Sequence, residues 1–533
     1  DLHTAYRRQR QMCIRDRSKV SGDSLAADFH YLVKQLEATH PDPYTGFGGK
    51  VFFHKQAFDL ENELRSKPHT LQEFWDKSMA FLSFIQDGHT YLFSLAPKQR
   101  QEQSYLPVGF RCIPDGLIVQ SLPAAHQDLL GSLLTGINGK SMDELLVRTA
   151  SLFACENLYN RYSVFCRNVA RKQFMQQLLP DLEDTVCLNL RTPDGKEMTL
   201  EQHFMDNEDL RKAEKASLPS WEGCPEEQMA YRFIDKKKEV MMFKVNSIMA
   251  RDNFEYMYKY MKGDLFRQME FYYQNALRKE MPADTLQAIH ALPSFSGTFA
   301  TMLKEMKKNR SEYLIIDLRG NSGGWTPIVL ATLYQLYGDK YLQEDMDTEY
   351  YRIVSPLYMN KLEVTLEEFN KRYGTDYNFG DYTFSMEEQE DVPLDTLRRQ
   401  FIDDCMSSVK EELRAQKGAP VYTPKQVFVV TDERTFSAAF HYSFMLWKMG
   451  ATVVGVPSGQ APNTFMEQTL FKLPYTGIEG SISNSVQIFL PGKDKRAKTF
   501  WPDVMLTYDE YKQTGFDKQA EILFLLNKIG QEK

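Results

Sequence analysis

The sequence is constrained first by what it lacks. No apolar run approaches the roughly eighteen residues of a membrane-spanning helix. Seven cysteines are scattered without a CxxC pair, and HExxH is absent, so we expect neither a disulfide framework nor a zinc site, and no cofactor. The 64 basic and 72 acidic residues give a net charge of -8, and no long basic stripe is present. Nucleic acid is therefore an unfavourable partner, and no integral membrane segment is expected.

Length and composition are those of an ordinary globular protein with more than one domain. The 533 residues are 42% apolar and 26% charged, and a chain of this length is expected to form two or three domains. Residues 1–17 are basic but have no apolar centre, so they do not resemble a signal peptide. We interpret them as a non-native or disordered tail.

Two stretches begin as short apolar runs and end in polar turns that lead into helices. They are residues 313–324, YLIIDLRGNSGG, and residues 427–439, VFVVTDERTFSAA. Uninterrupted apolar runs of this length are typical of strands covered on both faces of a parallel sheet. The polar turns would then lie at the carboxyl ends of the strands, where the chemistry of open α/β sheets usually takes place.

Ser437 and a group of glycines are the candidate catalytic groups in these turns. Ser437 comes where the second strand gives way to a helix, which makes its hydroxyl our candidate nucleophile. Gly320, Gly323 and Gly324 permit backbone conformations closed to other residues, so that N–H groups approach a ligand closely. We predict an oxyanion hole formed by the N–H groups of Gly323 or Gly324 and of Ala438.

The motifs DLRGNSGG at 317–324 and TFSAA at 435–439 resemble the C-terminal-processing (tail-specific) serine peptidases, a superfamily that includes tricorn protease and the interphotoreceptor retinoid-binding proteins. The resemblance implies an α/β fold with a crotonase-like core, an N-terminal helical segment and a PDZ-like β-rich domain. The predicted boundaries are 18–100 for the helical segment, 104–205 for the PDZ-like domain, and 230–533 for the core, with an insertion at about 341–417. It also implies a serine endopeptidase that acts on peptide or protein substrates, and a bacterial cell envelope as its location. The oligomeric state stays open.

His89 is the predicted general base. A capping box of Thr70 and Glu73 opens an amphipathic helix that runs into the string DGHT at 87–90. A lone histidine in such a turn is usually a surface residue. The string nevertheless resembles the segment that supplies the catalytic histidine in the tricorn-like branch of the family, and this resemblance favours a catalytic role.

The remaining catalytic groups are predicted from what a serine nucleophile needs. A hydroxyl requires a base within hydrogen-bond reach, and one branch of the family uses a lysine on the strand after the serine. The corresponding segment here, APNTFME at 461–467, has no lysine, which argues against a serine–lysine dyad and in favour of His89. A catalytic histidine usually has an orienting carboxylate, for which we prefer Glu467 to Asp87.

The middle of the chain predicts strands at 116–120 and 133–137, a tight turn at Asn138-Gly139, a helix capped by Ser141 and Glu144, and a hairpin over 186–200. This order resembles a PDZ-like module, which binds extended peptide ends by strand addition. A β-rich spacer without a ligand fits the pattern equally well. The charged, tyrosine-rich insertion is either a lid or a solvated excursion of loop and helix.

Two other functions fit parts of the sequence. Residues 320–324 also satisfy the G-x-S-x-G pattern of an α/β-hydrolase esterase, in which Ser322 would act with Asp432 and His441. On the preferred interpretation His441 is a helix-surface or packing residue. The missing lysine also permits a catalytically silent protein that binds apolar ligands or peptides on the same scaffold.

Overall fold

The computed structural model describes residues 19–95, 104–346, 348–384 and 392–531. The predicted tail at residues 1–17 lies outside these described residues. The fold is mixed α/β and contains three sheets. Among the described helices, none combines the length and the apolar character that crossing a membrane requires.

The front of the described chain is helical, as the sequence predicts. It consists of α1 (Gly22–Thr39), α2 (Lys50–Arg65), α3 (Leu71–Ser83) and the short strand β1 (Tyr91–Leu92). The predicted capping box opens α3, because the Thr70 hydroxyl accepts the Glu73 N–H and the Glu73 carboxylate accepts the Thr70 N–H. The apolar faces of these helices share one core with Phe471 and Ile482 from the end of the chain.

The middle of the chain forms a seven-stranded antiparallel sheet with helices. Its elements are β2 (Gly109–Ile113), β3 (Gly116–Pro123), β4 (Leu133–Ile137), β5 (Lys140–Ser141), α4 (Met142–Leu152), α5 (Leu158–Asn168), α6 (Lys172–Leu178), β6 (Thr185–Arg191), β7 (Glu197–His203), α7 (Asn207–Lys212) and β8 (Lys215–Ser217). The strand order is β2-β3-β4-β6-β7, with β5 beside β4 and β8 beside β3. Ser141 and Glu144 form the predicted capping box of α4.

The rest of the chain contains the other two sheets. Its elements are β9 (Met229–Phe233), β10 (Val240–Val245), α8 (Arg251–Tyr260), α9 (Lys262–Phe271), α10 (Thr285–His290), α11 (Phe295–Asn309), β11 (Tyr313–Asp317), α12 (Pro327–Tyr337), α13 (Asp339–Gln343), β12 (Glu349–Ile353), α14 (Pro356–Leu362), α15 (Leu366–Tyr373), β13 (Tyr382–Phe384), α16 (Leu394–Asp404), α17 (Lys410–Gln416), β14 (Gln426–Thr431), α18 (Ala438–Lys448), β15 (Thr452–Gly455), β16 (Thr464–Lys472), β17 (Glu479–Ile488), α19 (Tyr508–Gln513) and α20 (Ala520–Gln531).

The central sheet has the strand order β15-β14-β11-β10-β9. The first four strands are parallel and β9 is antiparallel. Every residue of β11 is buried, because α11, α12 and α18 cover one face of the sheet while α20 and part of the middle region cover the other. This two-sided burial explains the uninterrupted apolar runs of β11 and β14. It also brings the turns that follow these neighbouring strands to one edge of the sheet.

The third sheet joins the front of the chain to its end. β17 pairs with β16 and β12, and β1 pairs with β17 so that Tyr91 lies opposite Ser481. β12 comes from the segment 341–417, so this predicted insertion contributes a strand to the sheet. The same segment contains the helices α16 and α17, and in the turn between them the Ser408 N–H donates to Asp252 at 3.2 Å.

Candidate active site

Ser437 lies between β14 and α18 in a backbone conformation that residues with side chains rarely adopt. Its φ is 53° and its ψ is -126°. The side chain makes no capping hydrogen bond to α18 and is half-buried. Positions of this kind cost of order 1–3 kcal/mol and cluster at functional sites, where the surrounding structure imposes them. Here the turn is imposed by Asp432, whose carboxylate accepts the N–H groups of Arg434 and Thr435, each at 3.0 Å.

The glycine-rich turn after β11 lies directly against Ser437. The N–H of Phe436 donates to the carbonyl of Asn321 at 3.0 Å. A Cβ added to Gly323, whose φ is 106°, would lie 2.6 Å from the Cβ of Ser437 and 2.9 Å from the nitrogen of Ala438. Cβ atoms do not come this close to other atoms, so glycine is required for the two turns to meet.

The three predicted oxyanion donors differ in their availability. The N–H of Gly323 donates to the side-chain oxygen of Asn321 at 2.9 Å and is therefore occupied. Among the described residues, the N–H groups of Gly324 and Ala438 have no acceptor. Ala438 is the first residue of α18, where no intrahelical acceptor exists. Gly324 is fixed by its neighbours, since the Ile248 carbonyl accepts the N–H of the following residue at 2.8 Å.

His89 is brought to Ser437 by a tight turn and a strand pair. Asp87 Oδ1 accepts the His89 N–H at 2.8 Å, and the Ser481 hydroxyl of β17 donates to the His89 carbonyl at 2.8 Å. The imidazole packs on the ring of Phe436, with centroids 5.0 Å apart and an angle of 33° between the planes. Because Phe436 precedes Ser437, the front of the chain and the central sheet meet at the candidate nucleophile.

The imidazole of His89 is buried and carries no hydrogen bond. Its side chain is 7% exposed, and neither ring nitrogen has a hydrogen-bond partner, Ser437 included. Nδ1 lies 3.9 Å from Asp87 Oδ1 and 3.9 Å from Glu156 Oε1. Burial lowers the pKa of His89, while the charge of Asp87 and the nearby Phe465 carbonyl, which falls short of hydrogen-bond geometry, oppose the shift. The ring is therefore neutral at neutral pH, as a general base must be.

Glu156, between α4 and α5, is a site residue that the sequence did not suggest. Its Oε1 accepts the N–H of Gly88 at 3.2 Å, and its Oε2 accepts the N–H of Ala461 at 2.8 Å. Burial and the neighbouring Asp87 raise the pKa of Glu156 to about 8. Burial also raises the pKa of Asp87, but a hydrogen bond from His40 at 3.3 Å and the nearby imidazoles outweigh it, so that pKa is lowered overall. One carboxylate is thus ionised while the other readily holds a proton.

Comparison with known proteins identifies the family to which these segments belong. The model of peptidase family S41 matches residues 288–479, which contain both the glycine-rich turn and Ser437. The chain therefore contains a peptidase family S41 region. It is a serine-type peptidase.

Solved structures add a likeness of fold to the family match. The crystal structure of mature CPAF is similar to this peptidase with a TM-score of 0.56 and 14% identity, over 95% of this chain and 98% of that one. The structure of mature CPAF complexed with lactacystin has a TM-score of 0.53 and 15% sequence identity, over 94% of this chain and 97% of that one. For the photosystem II D1 C-terminal processing protease the TM-score is 0.38 and the sequence identity 10%, over 91% of this chain and 94% of that one. At these identities the CPAF likeness establishes a shared fold alone, and no curated protein matches the sequence significantly.

Glu467, the orienting carboxylate preferred from the sequence, has other partners in the peptidase. It accepts hydrogen bonds from Arg352 at 2.5 Å and Lys361 at 3.4 Å. Burial raises the pKa of Glu467, but the charges of these two cations lower it overall. Among the described residues, the carboxylates beside the His89 imidazole are those of Asp87, the alternative considered above, and Glu156.

His441 lies one helical turn after Ser437 and is fixed by hydrogen bonds. Its Nε2 donates to Gln487 at 2.6 Å, so its Nδ1 accepts the Thr326 hydroxyl at 2.8 Å. Burial lowers the pKa of His441 to about 4. The neighbouring Gln460 accepts the backbone N–H of Ser437. His441 is therefore a buried, neutral part of the wall behind the serine, and both of its nitrogens are engaged.

The arrangement gives no support to Ser322 as an esterase nucleophile in the peptidase. Ser322 is exposed. The carboxylate of Asp432 accepts the Gly320 N–H at 2.8 and 2.9 Å and holds the turn before Ser437. The nitrogens of His441 are bonded to other residues, as described above. Asp432 and His441 thus serve two separate networks and do not form the pair that an α/β-hydrolase elbow requires.

Proposed function

We propose that the peptidase hydrolyses peptide bonds through an acyl-enzyme on Ser437, with His89 as the general base. The observation that carries this proposal is the contact between the His89 imidazole and Phe436, which joins a buried, neutral base to a strained serine at the N-terminus of a helix. Both groups project from rigid elements, which is how catalytic groups are held in position.

The proton path follows from the surroundings of the imidazole. Nδ1 faces Asp87 and Glu156, which leaves Nε2 to take the proton of the Ser437 hydroxyl as its oxygen attacks the substrate carbonyl. The imidazolium then gives this proton to the leaving amine, and the acyl ester forms on Ser437. A water molecule attacks the ester in the same way and releases the acid. The ionised Asp87 stabilises the positive charge of the ring, and Asp87 and Glu156 together confine Nδ1.

The geometry must tighten for this reaction, because no hydrogen bond joins His89 to Ser437 in the free protein. Catalytic hydrogen bonds are often long or misaligned in free enzymes and form in the substrate complex. We infer that the His89 imidazole and the Ser437 hydroxyl approach each other when substrate binds.

The oxyanion would be stabilised by the N–H groups of Gly324 and Ala438. Ala438 follows Ser437 directly, Gly324 follows the glycine that packs on Ser437, and neither N–H has an acceptor among the described residues. Loss of one such donor typically lowers kcat by about a hundred- to a thousandfold. Gly323 has a different role, since its N–H is bonded to Asn321 and its missing Cβ makes room for the serine.

Covalent labelling by a serine-directed fluorophosphonate tests the proposal. Wild-type protein should be labelled on a peptide that contains Ser437, and Ser437→Ala should abolish the labelling. His89→Asn should slow it by at least about a hundredfold, the size of a typical general-base contribution. Tandem mass spectrometry identifies the labelled residue.

Ser322→Ala is the matched control, because this exposed serine lies in the adjacent turn. It should keep labelling close to the wild-type rate. Labelling that survives in Ser437→Ala and disappears in Ser322→Ala would favour the esterase arrangement. A folded wild-type protein that no serine-directed reagent labels would contradict the acyl-enzyme itself.

The domain roles are a second part of the proposal. We propose a helical segment at 18–100 that carries His89, a PDZ-like domain at 104–205 that binds peptide, and a crotonase-like core at 230–533. The seven-stranded sheet with its capped helix α4 supports the second of these, and the mainly parallel central sheet supports the third. A bacterial envelope location stays a prediction from the resemblance, which cell fractionation would test.

A further inference from the structure

The His89 imidazole and the two carboxylates beside it form a buried cluster. One nitrogen of His89 and one oxygen each of Asp87 and Glu156 lie within 4.8 Å of one another. The side chains of Asp87 and Glu156 are 0% and 1% exposed. Asp87 and His89 come from the turn after α3, and Glu156 comes from the connection between α4 and α5. The fold thus brings two carboxylates from distant segments to one imidazole.

The second observation is that this imidazole has no hydrogen-bond partner. Both nitrogens of His89 are buried without one, although nearly all buried polar side chains in proteins are paired. The 3.9 Å from Nδ1 to each carboxylate oxygen is too long for a hydrogen bond. The imidazole therefore lacks a polar partner in the protein alone, although the carboxylate oxygens beside it accept backbone N–H groups.

The distances between the three donor atoms, and their types, one nitrogen and two carboxylate oxygens, fit a transition-metal ion such as Zn²⁺. Zn²⁺ binds histidine nitrogen and carboxylate oxygen at about 2.0–2.2 Å, so that ligand atoms around a tetrahedral ion lie about 3.4 Å apart. The two Nδ1–oxygen distances of 3.9 Å exceed this separation by about half an ångström, and all three donor atoms lie within 4.8 Å of one another, so a local contraction would let them share one ion. His40 bonds the second oxygen of Asp87 at 3.3 Å, as outer partners commonly orient metal ligands. Mg²⁺ and Ca²⁺ are less suitable, because they prefer an all-oxygen, hydrated site.

We propose that Asp87, His89 and Glu156 bind one Zn²⁺ ion, which inhibits the peptidase by occupying Nδ1 of His89. When Nδ1 gives its lone pair to the ion, the neutral ring carries its one proton on Nε2, so Nε2 no longer accepts the serine proton. Water completes the tetrahedron. The binding half of the inference stands on the cluster alone, whereas the inhibition half rests on the proposed role of His89.

Direct titration of the Ser437→Ala protein with ZnCl₂ tests binding without any need for activity. Isothermal calorimetry at pH 7.5 should give one tight site per chain. Glu156→Gln and His89→Asn in the same background should each weaken this site by about tenfold or more. MgCl₂ and CaCl₂ should give no comparable heat.

Asp28→Asn is the matched control. Asp28 is also a fully buried carboxylate, but it accepts the N–H groups of Tyr475 and Thr476 in another part of the fold. The Asp28→Asn variant should bind zinc with the same affinity as its parent, and circular dichroism checks that each variant is folded. If Glu156→Gln binds zinc as tightly as its parent, or if the parent binds none, the metal site is refuted.

Fluorophosphonate labelling of the wild-type protein distinguishes zinc binding from inhibition through His89. Zinc should suppress fluorophosphonate labelling at the concentrations that fill the site, and EDTA should restore it. Zinc binding with undiminished labelling would support the metal site while refuting inhibition through His89. Absence of binding together with normal labelling would refute the metal site and leave the acyl-enzyme proposal intact.

Discussion

Replacing Gly323 with alanine should slow the reaction of Ser437, because the added Cβ pushes the turn that carries this serine out of position. The added Cβ would lie 2.6 Å from the serine Cβ, whereas ordinary contacts begin at 3.4 Å, so the two turns must separate by the difference, 0.8 Å. A misplacement of about 1 Å in an active site costs about a hundredfold in rate. We therefore expect fluorophosphonate labelling of Gly323→Ala to be about a hundredfold slower than that of wild type. Strain at its φ of 106° should also lower the Tm by a few degrees.

Gly320→Ala is the control for backbone strain in the same turn. Gly320 also has a positive φ, 74°, but no atom lies within 4 Å of the position of an added Cβ. Its N–H, which donates to Asp432, is kept in the variant. Gly320→Ala should lose a similar amount of stability and label at nearly the wild-type rate. Equal labelling rates for the two folded variants would refute the displacement argument.

Two further predictions concern buried carboxylates. Glu156→Gln should slow labelling by about tenfold or more because it weakens the orientation of His89, while Glu467→Gln should change the labelling rate little. The reverse result would favour Glu467 as the orienting carboxylate, as the sequence suggested. Glu521 accepts hydrogen bonds from Arg111 and Arg319, which offset the effect of its burial and lower its pKa to about 2. Its stabilising contribution is therefore complete above its unfolded pKa of 4.5 and is lost as the pH falls towards 2. Glu521→Gln should lower the free energy of unfolding by about 3–5 kcal/mol at neutral pH. Denaturant unfolding at a series of pH values should show that the stability of this variant falls less steeply below pH 4.5 than that of wild type. An equally steep fall in the variant would contradict the pairing of Glu521 with the two arginines.

Local features were predictable because they depend on neighbouring residues. The apolar run at 313–317 is strand β11 as observed, and Ser437 does fall between a strand and a helix. The capping boxes at Thr70 and Ser141 were found from spacing alone, since a cap is satisfied within one turn of the same helix. The DGHT turn is local as well, because Asp87 bonds the N–H of His89.

The sequence alone therefore determined the two central strands β11 and β14, the resemblance to the family and the glycine-rich turn that meets the candidate serine. Only the tertiary structure decided which carboxylates face His89, because Glu156 and Arg352 reach their partners across distant parts of the chain. The same applies to His441, whose neighbours Thr326 and Gln487 come from other elements. Sequence spacing specifies what a residue meets within a turn or a strand. Pairing of buried charges depends on how whole elements pack, and no local pattern records that packing.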